Sequence, residues 1–203
     1  MKTIILNLFA GLVIVLCCSF DSQSGYQIGE TVEDFTLQNV DGKMVSLSDY
    51  KDAKGFIIVF TNNDCWVSKN YQKAIIAMDK RYKTQGYPVI AINSTNPQKS
   101  SSTEEGFTKM MDRAKEKGYT FPYLCDSTQT VIKQFGATQA PTVYLLNKEG
   151  GKLIVKYFGA IDSNDEVDGH PGERYLEDAV KNVLAGKPVL IKTTKPMGCN
   201  IAQ

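Results

Sequence analysis

The sequence predicts a single-domain α/β layer sandwich, because strand-like and helix-like segments alternate along the chain. Residues 56–60 form a continuous run of β-branched and aromatic residues, FIIVF, which is typical of a strand buried on both faces of a parallel sheet. Residues 69–83 carry apolar side chains at helical spacing, with charged residues opposite, and Gly86 follows them. A short turn separates the two segments, so together they begin a βαβ unit.

The remaining segments continue this alternation. Residues 35–40 and 44–47 predict a hairpin closed by the Asp-Gly turn at 41–42. The later segments predict a strand at 89–92, a polar loop at 93–102, a helix at 104–117, a strand at 121–125, a helix at 128–135, a strand at 142–146, its hairpin partner at 153–158 and a final helix at 173–184. No internal repeat or second core appears, so we expect one domain over residues 26–201.

Composition excludes several classes of function. The 203 residues are 42% hydrophobic and 22% charged, as in an ordinary globular protein rather than a disordered chain or a polytopic membrane protein. Lys and Arg number 23 against 22 Asp and Glu, which leaves no basic surplus for binding nucleic acid. His170 is the only histidine, so metal or catalytic sites that need two imidazoles are excluded. The acidic, glycine-rich segment around His170 predicts a solvated loop residue.

The N-terminus predicts a signal peptide over residues 1–19. Lys2 precedes a nearly uninterrupted apolar run at 4–16. The alternative is a permanent membrane anchor, but the run is shorter than the ~18 residues of a spanning helix, which favours a signal peptide. Cleavage before Cys18 would leave the terminus that bacterial lipoproteins lipidate, giving a membrane tether, whereas cleavage near Ser19 would release a soluble protein. We therefore expect an exported protein, periplasmic or on the outer surface of a bacterium.

Removal of that segment leaves three cysteines, Cys65, Cys125 and Cys199. In an oxidising compartment three thiols cannot all pair within one chain. At least one of them is therefore free, reactive or bonded to another molecule.

Cys65 lies where the buried strand at 56–60 gives way to a helix. Free backbone N–H groups and the helix dipole stabilise an anion at a helix N-terminus, which lowers a thiol pKa from ~8.5 and favours the nucleophilic thiolate. A free cysteine is also common as a small buried hydrophobe. The polar neighbours Asn62, Asn63 and Ser68 favour the reactive alternative.

A second element is the segment GATQAPT at residues 136–142, directly before a predicted strand. Proline cannot donate to a sheet ladder, so Pro141 at a strand entrance needs a special geometry, of which a cis bond is one.

From about residue 29 to 201 the chain resembles thioredoxin-fold proteins, and more closely the redoxins of the alkyl hydroperoxide reductase C and thiol-specific antioxidant type, in their peroxiredoxin-like branch. Besides the cysteine at the helix start and residues 136–142, the resemblance is carried by YPVIAIN at 87–93, FPYLCD at 121–126, GAID at 159–162 and GCNI at 198–201. It implies a thioredoxin-like three-layer α/β/α sandwich with a central mixed sheet. It also implies a thiol oxidoreductase that uses neither a metal nor an organic cofactor.

The chain departs from the patterns of these families at several positions. Ser68 stands where the thioredoxin Cys-x-x-Cys motif has its second cysteine, so no local disulfide can form with Cys65. Pro141 stands where peroxiredoxins place an arginine, and Thr61 is offset by one from their usual threonine. Val59 replaces the buried carboxylate of thioredoxins. A high-rate peroxidase is therefore disfavoured.

The resemblance implies a role for each residue of the site. Cys65 would be the nucleophile, Pro141 would present backbone to a bound disulfide or peptide, and an external reductant would complete the cycle. Substrate contacts are expected from Thr61, Trp66, Ser68 and Ala140. Trp66 would either shape a substrate groove or cap the first helical turn.

The function that these residues predict is that of an exported thiol oxidoreductase with a single cysteine nucleophile at a helix N-terminus. Its partners would be a thiol or disulfide protein, or a peroxide. One alternative is a slow peroxidase, in which Cys65 becomes a sulfenic acid that another thiol resolves. The other alternative is a binding module that kept the fold without catalysis.

Three specific expectations follow for the site. The thiol pKa of Cys65 lies below that of a free cysteine. The Ala140-Pro141 peptide bond is cis. Cys199 resolves oxidised Cys65 rather than Cys125, because Cys125 ends a strand whereas Cys199 lies in a tail with Gly186, Pro188, Pro196 and Gly198 that we expect to be mobile.

Overall fold

The computed structural model describes residues 25–163 and 172–202. The predicted signal segment, with Cys17 and Cys18, and the loop that contains His170 lie outside the described residues. The helices are α1 (Trp66–Tyr82), α2 (Phe107–Lys117), α3 (Thr130–Phe135) and α4 (Tyr175–Leu184). The strands are β1 (Thr31–Val32), β2 (Thr36–Asn39), β3 (Met44–Ser46), β4 (Gly55–Thr61), β5 (Val89–Asn93), β6 (Tyr123–Cys125), β7 (Gln139–Ala140), β8 (Thr142–Glu149), β9 (Lys152–Gly159) and β10 (Cys199–Asn200).

Eight of these strands form one mixed sheet in the order β1-β9-β8-β4-β5-β6-β2-β3. β4, β5 and β6 are parallel to one another, and the other neighbouring strands are antiparallel. Every residue of β4 is buried, which explains its unbroken apolar sequence. The chain therefore leaves the carboxyl end of a central strand just before Cys65.

The core has two parts, one on each face of the sheet. One cluster joins alternate residues of β4, such as Phe56 and Ile58, to α3 through Ile132 and Phe135. The other joins Ile57 of β4 to α1, α2 and α4. The alternation of β4 side chains between the two clusters is the period-two pattern of a strand covered on both faces. The predicted three-layer α/β/α architecture is confirmed.

The predicted elements occur in the predicted order, with shifted ends. α1 begins at Trp66 rather than at residue 69, directly after Cys65. α2 begins at Phe107 rather than at residue 104, because Gly106 has a φ of 109° that interrupts helical backbone. The sequence does not predict the two-residue strands β1, β7 and β10, since so short a segment carries no periodicity.

The chain after α4 is held against the domain, so the prediction of a mobile tail is wrong. Phe158 of β9 donates its N–H to Lys192 O at 3.1 Å and accepts from Thr194 N–H at 3.2 Å. β10 then pairs antiparallel with β7. These main-chain hydrogen bonds fix the tail despite its glycines and prolines. Among the residues that the structure describes, no helix has both the length and the apolarity needed to cross a bilayer.

Candidate active site

Cys65 is the N-cap of α1 and lies four residues after the end of β4. Its residue surface is only 4% exposed, and its N–H donates to Asn62 Oδ1 at 3.1 Å. The 17-residue helix that follows directs its first N–H groups toward this position. The prediction that Cys65 stands at a helix N-terminus is confirmed.

The partner of Cys65 is Cys199. The two cysteines form a disulfide with their Cα atoms 5.7 Å apart, although they are separated by 134 positions in the sequence. Cys199 lies on β10 opposite Ala140 of β7, and it is partly exposed. The structure therefore pairs the cysteine at the start of α1 with a cysteine of the C-terminal tail. A partner within α1 is not available, because Ser68 occupies the position of the second cysteine of a Cys-x-x-Cys motif.

The Ala140-Pro141 peptide bond is cis, as predicted. The carbonyl oxygen of Ala140 lies 3.3 Å from Cys65 Sγ. Because the sulfur is in a disulfide and carries no proton, this contact is not a hydrogen bond. It places the backbone of the strand entrance directly against the reactive atom.

The other predicted site residues differ in their exposure to solvent. Ser68, one turn along α1, is fully buried, and its Oγ has no hydrogen-bond partner within the described residues. Trp66 is 65% exposed beside Cys65, so it is available for contact with another molecule and does not pack over the helix end. Thr61 is buried at the last position of β4.

The loop that delivers Cys65 rests on a carboxylate that the sequence did not reveal. Glu105 is buried, and its Oε1 accepts the N–H groups of Asn63 and Asp64 at 3.1 and 3.0 Å. Its Oε2 accepts from Asn93 Nδ2 at 2.8 Å. The sequence placed Glu105 on an amphipathic helix, and no local pattern distinguishes it from a solvated glutamate.

Asn63 is fixed by two further bonds. Its Nδ2 donates to Glu104 O at 2.9 Å, and its Oδ1 accepts from the Tyr123 hydroxyl at 3.0 Å. Burial raises the pKa of Tyr123 well above its ordinary value, so this hydroxyl stays protonated and remains a donor. The loop before Cys65 is therefore held in place by polar contacts that are largely buried.

Cys125 is the free thiol among the cysteines that the structure describes. It ends β6, which lies on the opposite side of β5 from β4, and it is partly buried. Burial is the largest cause that raises the pKa of its thiol. Cys125 is thus neither bonded to Cys65 nor activated. Within residues 25–163 and 172–202, no three metal-ligating side chains gather into a site.

Comparisons with known proteins identify the relatives of this fold. The model of the AhpC/TSA family matches residues 28–156. The thiol-disulfide oxidoreductase ResA of Bacillus subtilis (strain 168) is 26% identical over 149 residues, which are 69% of this chain and 78% of the relative.

Two solved structures are similar in their backbone. A hypothetical protein from Sinorhizobium meliloti 1021 has a TM-score of 0.78 and 30% identity, and the match covers 88% of this chain and 95% of that one. The pneumococcal exposed lipoprotein thioredoxin Etrx1 of Streptococcus pneumoniae has a TM-score of 0.54 and 24% identity, covering 76% of this chain and 99% of that one. The predicted thioredoxin-like fold is confirmed.

Proposed function

This chain belongs to the AhpC/TSA family, and from that premise we propose that it is a thiol-disulfide oxidoreductase whose redox-active pair is Cys65 and Cys199. The observation that carries the proposal is the bond between a helix-terminal cysteine and a cysteine 134 positions away, beside the Ala140-Pro141 backbone. The similarity to the thiol-disulfide oxidoreductase ResA supports the same chemistry.

In the proposed cycle, the reduced form acts first through Cys65. Its thiolate attacks one sulfur of a substrate disulfide, so the substrate S–S bond breaks, a Cys65–substrate disulfide forms and one substrate thiolate leaves. The Cys199 thiolate then attacks the Cys65 sulfur, and the second substrate thiolate leaves as the Cys65–Cys199 bond forms. An external dithiol returns the pair to its thiols by the reverse exchange.

The residues around the sulfur have definite tasks in this cycle. The N-terminus of α1 stabilises the Cys65 thiolate, both as nucleophile and as leaving group. Pro141 carries no N–H, so it leaves the backbone beside Cys65 free of a competing donor. Trp66, exposed next to the sulfur, supplies an apolar surface for a protein partner.

The test is the reduction of a model protein disulfide by dithiothreitol, with and without this protein. We expect Cys65→Ser to abolish the acceleration. Cys199→Ser should accumulate a mixed disulfide on Cys65, because the resolving thiol is gone. Cys125→Ser is the matched control and should keep the activity. Equal rates with Cys65→Ser and the unaltered protein would overturn the proposal.

A slow peroxidase activity is a second candidate, and the position of Cys199 favours it as well. A peroxide would oxidise the Cys65 thiolate to a sulfenic acid and leave as an alcohol or water. The Cys199 thiol would then condense with the sulfenic acid, releasing water and forming the observed bond. Peroxide consumption that requires an added dithiol and Cys65 supports this activity, and its absence leaves disulfide exchange alone.

We also propose that the protein is exported, as the segment at 1–19 predicts. A disulfide between Cys65 and Cys199 suits an oxidising compartment. The test is the mass of the mature N-terminus after expression in a bacterium. A lipid-bearing terminus at Cys18 indicates a tether, a terminus near Ser19 indicates release, and an intact Met1 overturns export.

A further inference from the structure

The edge of β7 beside Cys65 is covered by the chain's own C-terminal strand. Cys199 pairs with Ala140 and Asn200 with Gln139, and the Ile201 N–H donates to Thr138 O at 2.9 Å. If β10 leaves, these backbone groups of β7 lose their partners. Unpaired backbone groups on a strand edge are a template for another extended segment.

The position before the cysteine accepts glycine only. A Cβ added at Gly198 would overlap the carbonyl oxygen of Ala140, and it would lie 3.0 Å from Pro141 N. Both atoms belong to the backbone that also positions the site, so they cannot rotate away as a side chain would. Any segment that takes the same path with its cysteine on Cys65 meets this restriction.

The positions after the cysteine differ in what they require. Asn200 is exposed, so the first position is unrestricted. Ile201 is 6% exposed and belongs to the same hydrophobic cluster as Ala137 and Ala140, so the second position is apolar. A polar side chain there would be buried without a partner.

The third position is held by its backbone. The carbonyl of Ala202 accepts from Asn96 N–H at 3.2 Å and from Gln129 Nε2 at 2.6 Å. Gln129 is buried and has a φ of 60°, a left-handed conformation that is strained for a non-glycine residue. Gln129 Nε2 also donates to Ser94 O at 2.8 Å, so the Gln129 amide is held within the domain and can donate to the backbone carbonyl of an extended segment at this position, whatever its side chains.

We propose that the β7 edge selects cysteine segments of the form Gly-Cys-x-apolar, and that residues 198–201 occupy it as an intramolecular surrogate of such a substrate. The inference rests on the proposed function, because it names the substrate class of that exchange. The covalent step is attack by the Cys65 thiolate on the substrate cysteine sulfur, which forms the new disulfide and expels the former sulfur partner as a thiolate.

The test uses the reduced full chain carrying Cys199→Ser, and peptides activated as thiopyridyl disulfides. The parent peptide has the sequence of residues 197–202, and three variants carry alanine for the glycine, aspartate for the isoleucine, or lysine for the asparagine. Attack by Cys65 forms the peptide adduct and releases 2-thiopyridone, which is followed by its absorbance. The serine-bearing tail competes equally with every peptide, so the ratios of rates are unaffected by it.

We expect the alanine and aspartate peptides to react about tenfold or more slowly than the parent, and the lysine peptide within about twofold. Adding Gly198→Ala to the Cys199→Ser chain should raise the parent peptide's rate, because the clash dislodges the competing tail. Equal rates for the glycine and alanine peptides, or no gain from Gly198→Ala, would overturn the inference.

Dipyridyl disulfide without a peptide separates this failure from that of the proposed function. If Cys65 reacts with dipyridyl disulfide but does not discriminate among the peptides, only the substrate class is wrong. If Cys65 reacts with neither, the exchange activity itself is wrong, and the inference fails with it.

Discussion

The carbonyl oxygen of Ala140 lies 3.3 Å from Cys65 Sγ, on the strand that also pairs with Cys199. Three segments that are far apart in sequence thus meet at one sulfur: a helix start, a strand entrance and the C-terminal tail. In a Cys-x-x-Cys site the two thiols share one helical turn, whereas here they are brought together by the packing of the β7–β10 pair against the start of α1. The redox chemistry of this chain therefore depends on its tertiary structure.

The thiol pKa of Cys125 should lie above that of a free cysteine, and the thiol pKa of reduced Cys65 should lie below it. In the oxidised protein, Cys125 should alkylate slowly at neutral pH, because burial raises its pKa and only the thiolate reacts. Its rate should rise with pH to a midpoint above the usual ~8.5. After reduction, the alkylation rate of Cys65 should reach its midpoint at a pH below ~8.5, because the Cys65 thiolate is stabilised by the N-terminus of α1.

Iodoacetamide labelling at a series of pH values, with peptide mapping to separate the cysteines, measures both midpoints. Labelling in urea gives the unperturbed reference for each thiol. A Cys65 midpoint at or above its value in urea would contradict its activation by the helix.

Two buried serines should respond oppositely to removal of their hydroxyls. Ser68 and Ser94 are both fully buried, but Ser94 Oγ donates to Asp126 Oδ2 at 2.9 Å whereas Ser68 Oγ has no partner within the described residues. In the oxidised protein, Ser68→Ala should leave the free energy of unfolding unchanged or raise it, because an unpaired buried hydroxyl is unfavourable. Ser94→Ala should lower it by about 1–3 kcal/mol, because it leaves a buried carboxylate short of a donor.

Urea titrations of the two variants under oxidising conditions measure these changes. A loss for Ser68→Ala as large as that for Ser94→Ala would mean that the Ser68 hydroxyl has a partner after all, for example an ordered water.

Glu105→Ala should lower the free energy of unfolding much more than Glu104→Ala at the neighbouring position. Glu105→Ala removes the acceptor of two loop N–H groups and of the Asn93 amide, so we expect about 3 kcal/mol lost and a slower reaction of reduced Cys65. The Glu104 carboxylate makes only partly exposed ion pairs, with Lys109 at 3.8 Å and Arg113 at 3.9 Å. Glu104→Ala should therefore cost less than about 1 kcal/mol.

The readouts are the urea midpoint and the rate of Cys65 with dipyridyl disulfide. Similar stability and similar Cys65 rates in the two variants would show that the buried carboxylate does not position the loop.

The fold was predictable from the sequence because its signals are local. The apolar run of β4 is unbroken because both faces of the strand are buried. The apolar residues of α1 have helical spacing because only one face of the helix is buried. The helix-terminal position of Cys65 follows from the order of those two elements. The cis bond at Pro141 follows from the resemblance to thioredoxin-like proteins, because the strand-entrance position alone leaves other geometries open.

The rest of the site was not predictable in this way because it is made by contacts across long stretches of chain. Glu105 has the same local pattern as any surface glutamate, and only the fold brings it to the loop at Asn63. The glycines and prolines of the tail predict mobility, yet Gly198 is there because only a residue without a Cβ can lie against Ala140. Local composition did not distinguish a glycine that frees the chain from one that lets two strands approach.

The bond between Cys65 and Cys199 should stabilise the oxidised protein measurably. It closes a loop with a sequence separation of 134 residues, and the chain-entropy description assigns such a link about 5 kcal/mol through the unfolded state. Cys199→Ser should therefore lower the urea midpoint under oxidising conditions, whereas Cys125→Ser, which breaks no bond, is the control and should change it little.

The losses of stability caused by Cys65→Ser and by Cys199→Ser should not add in the double variant. Cys65→Ser breaks the same bond as Cys199→Ser, so the double variant should be nearly as stable as either single variant rather than losing the sum of both. Reduction of the unaltered protein should bring it to a similar midpoint, because the same link is then open. A double variant whose loss equals the sum of the two single losses would show that each cysteine stabilises the fold through its own packing, and that the bond contributes little.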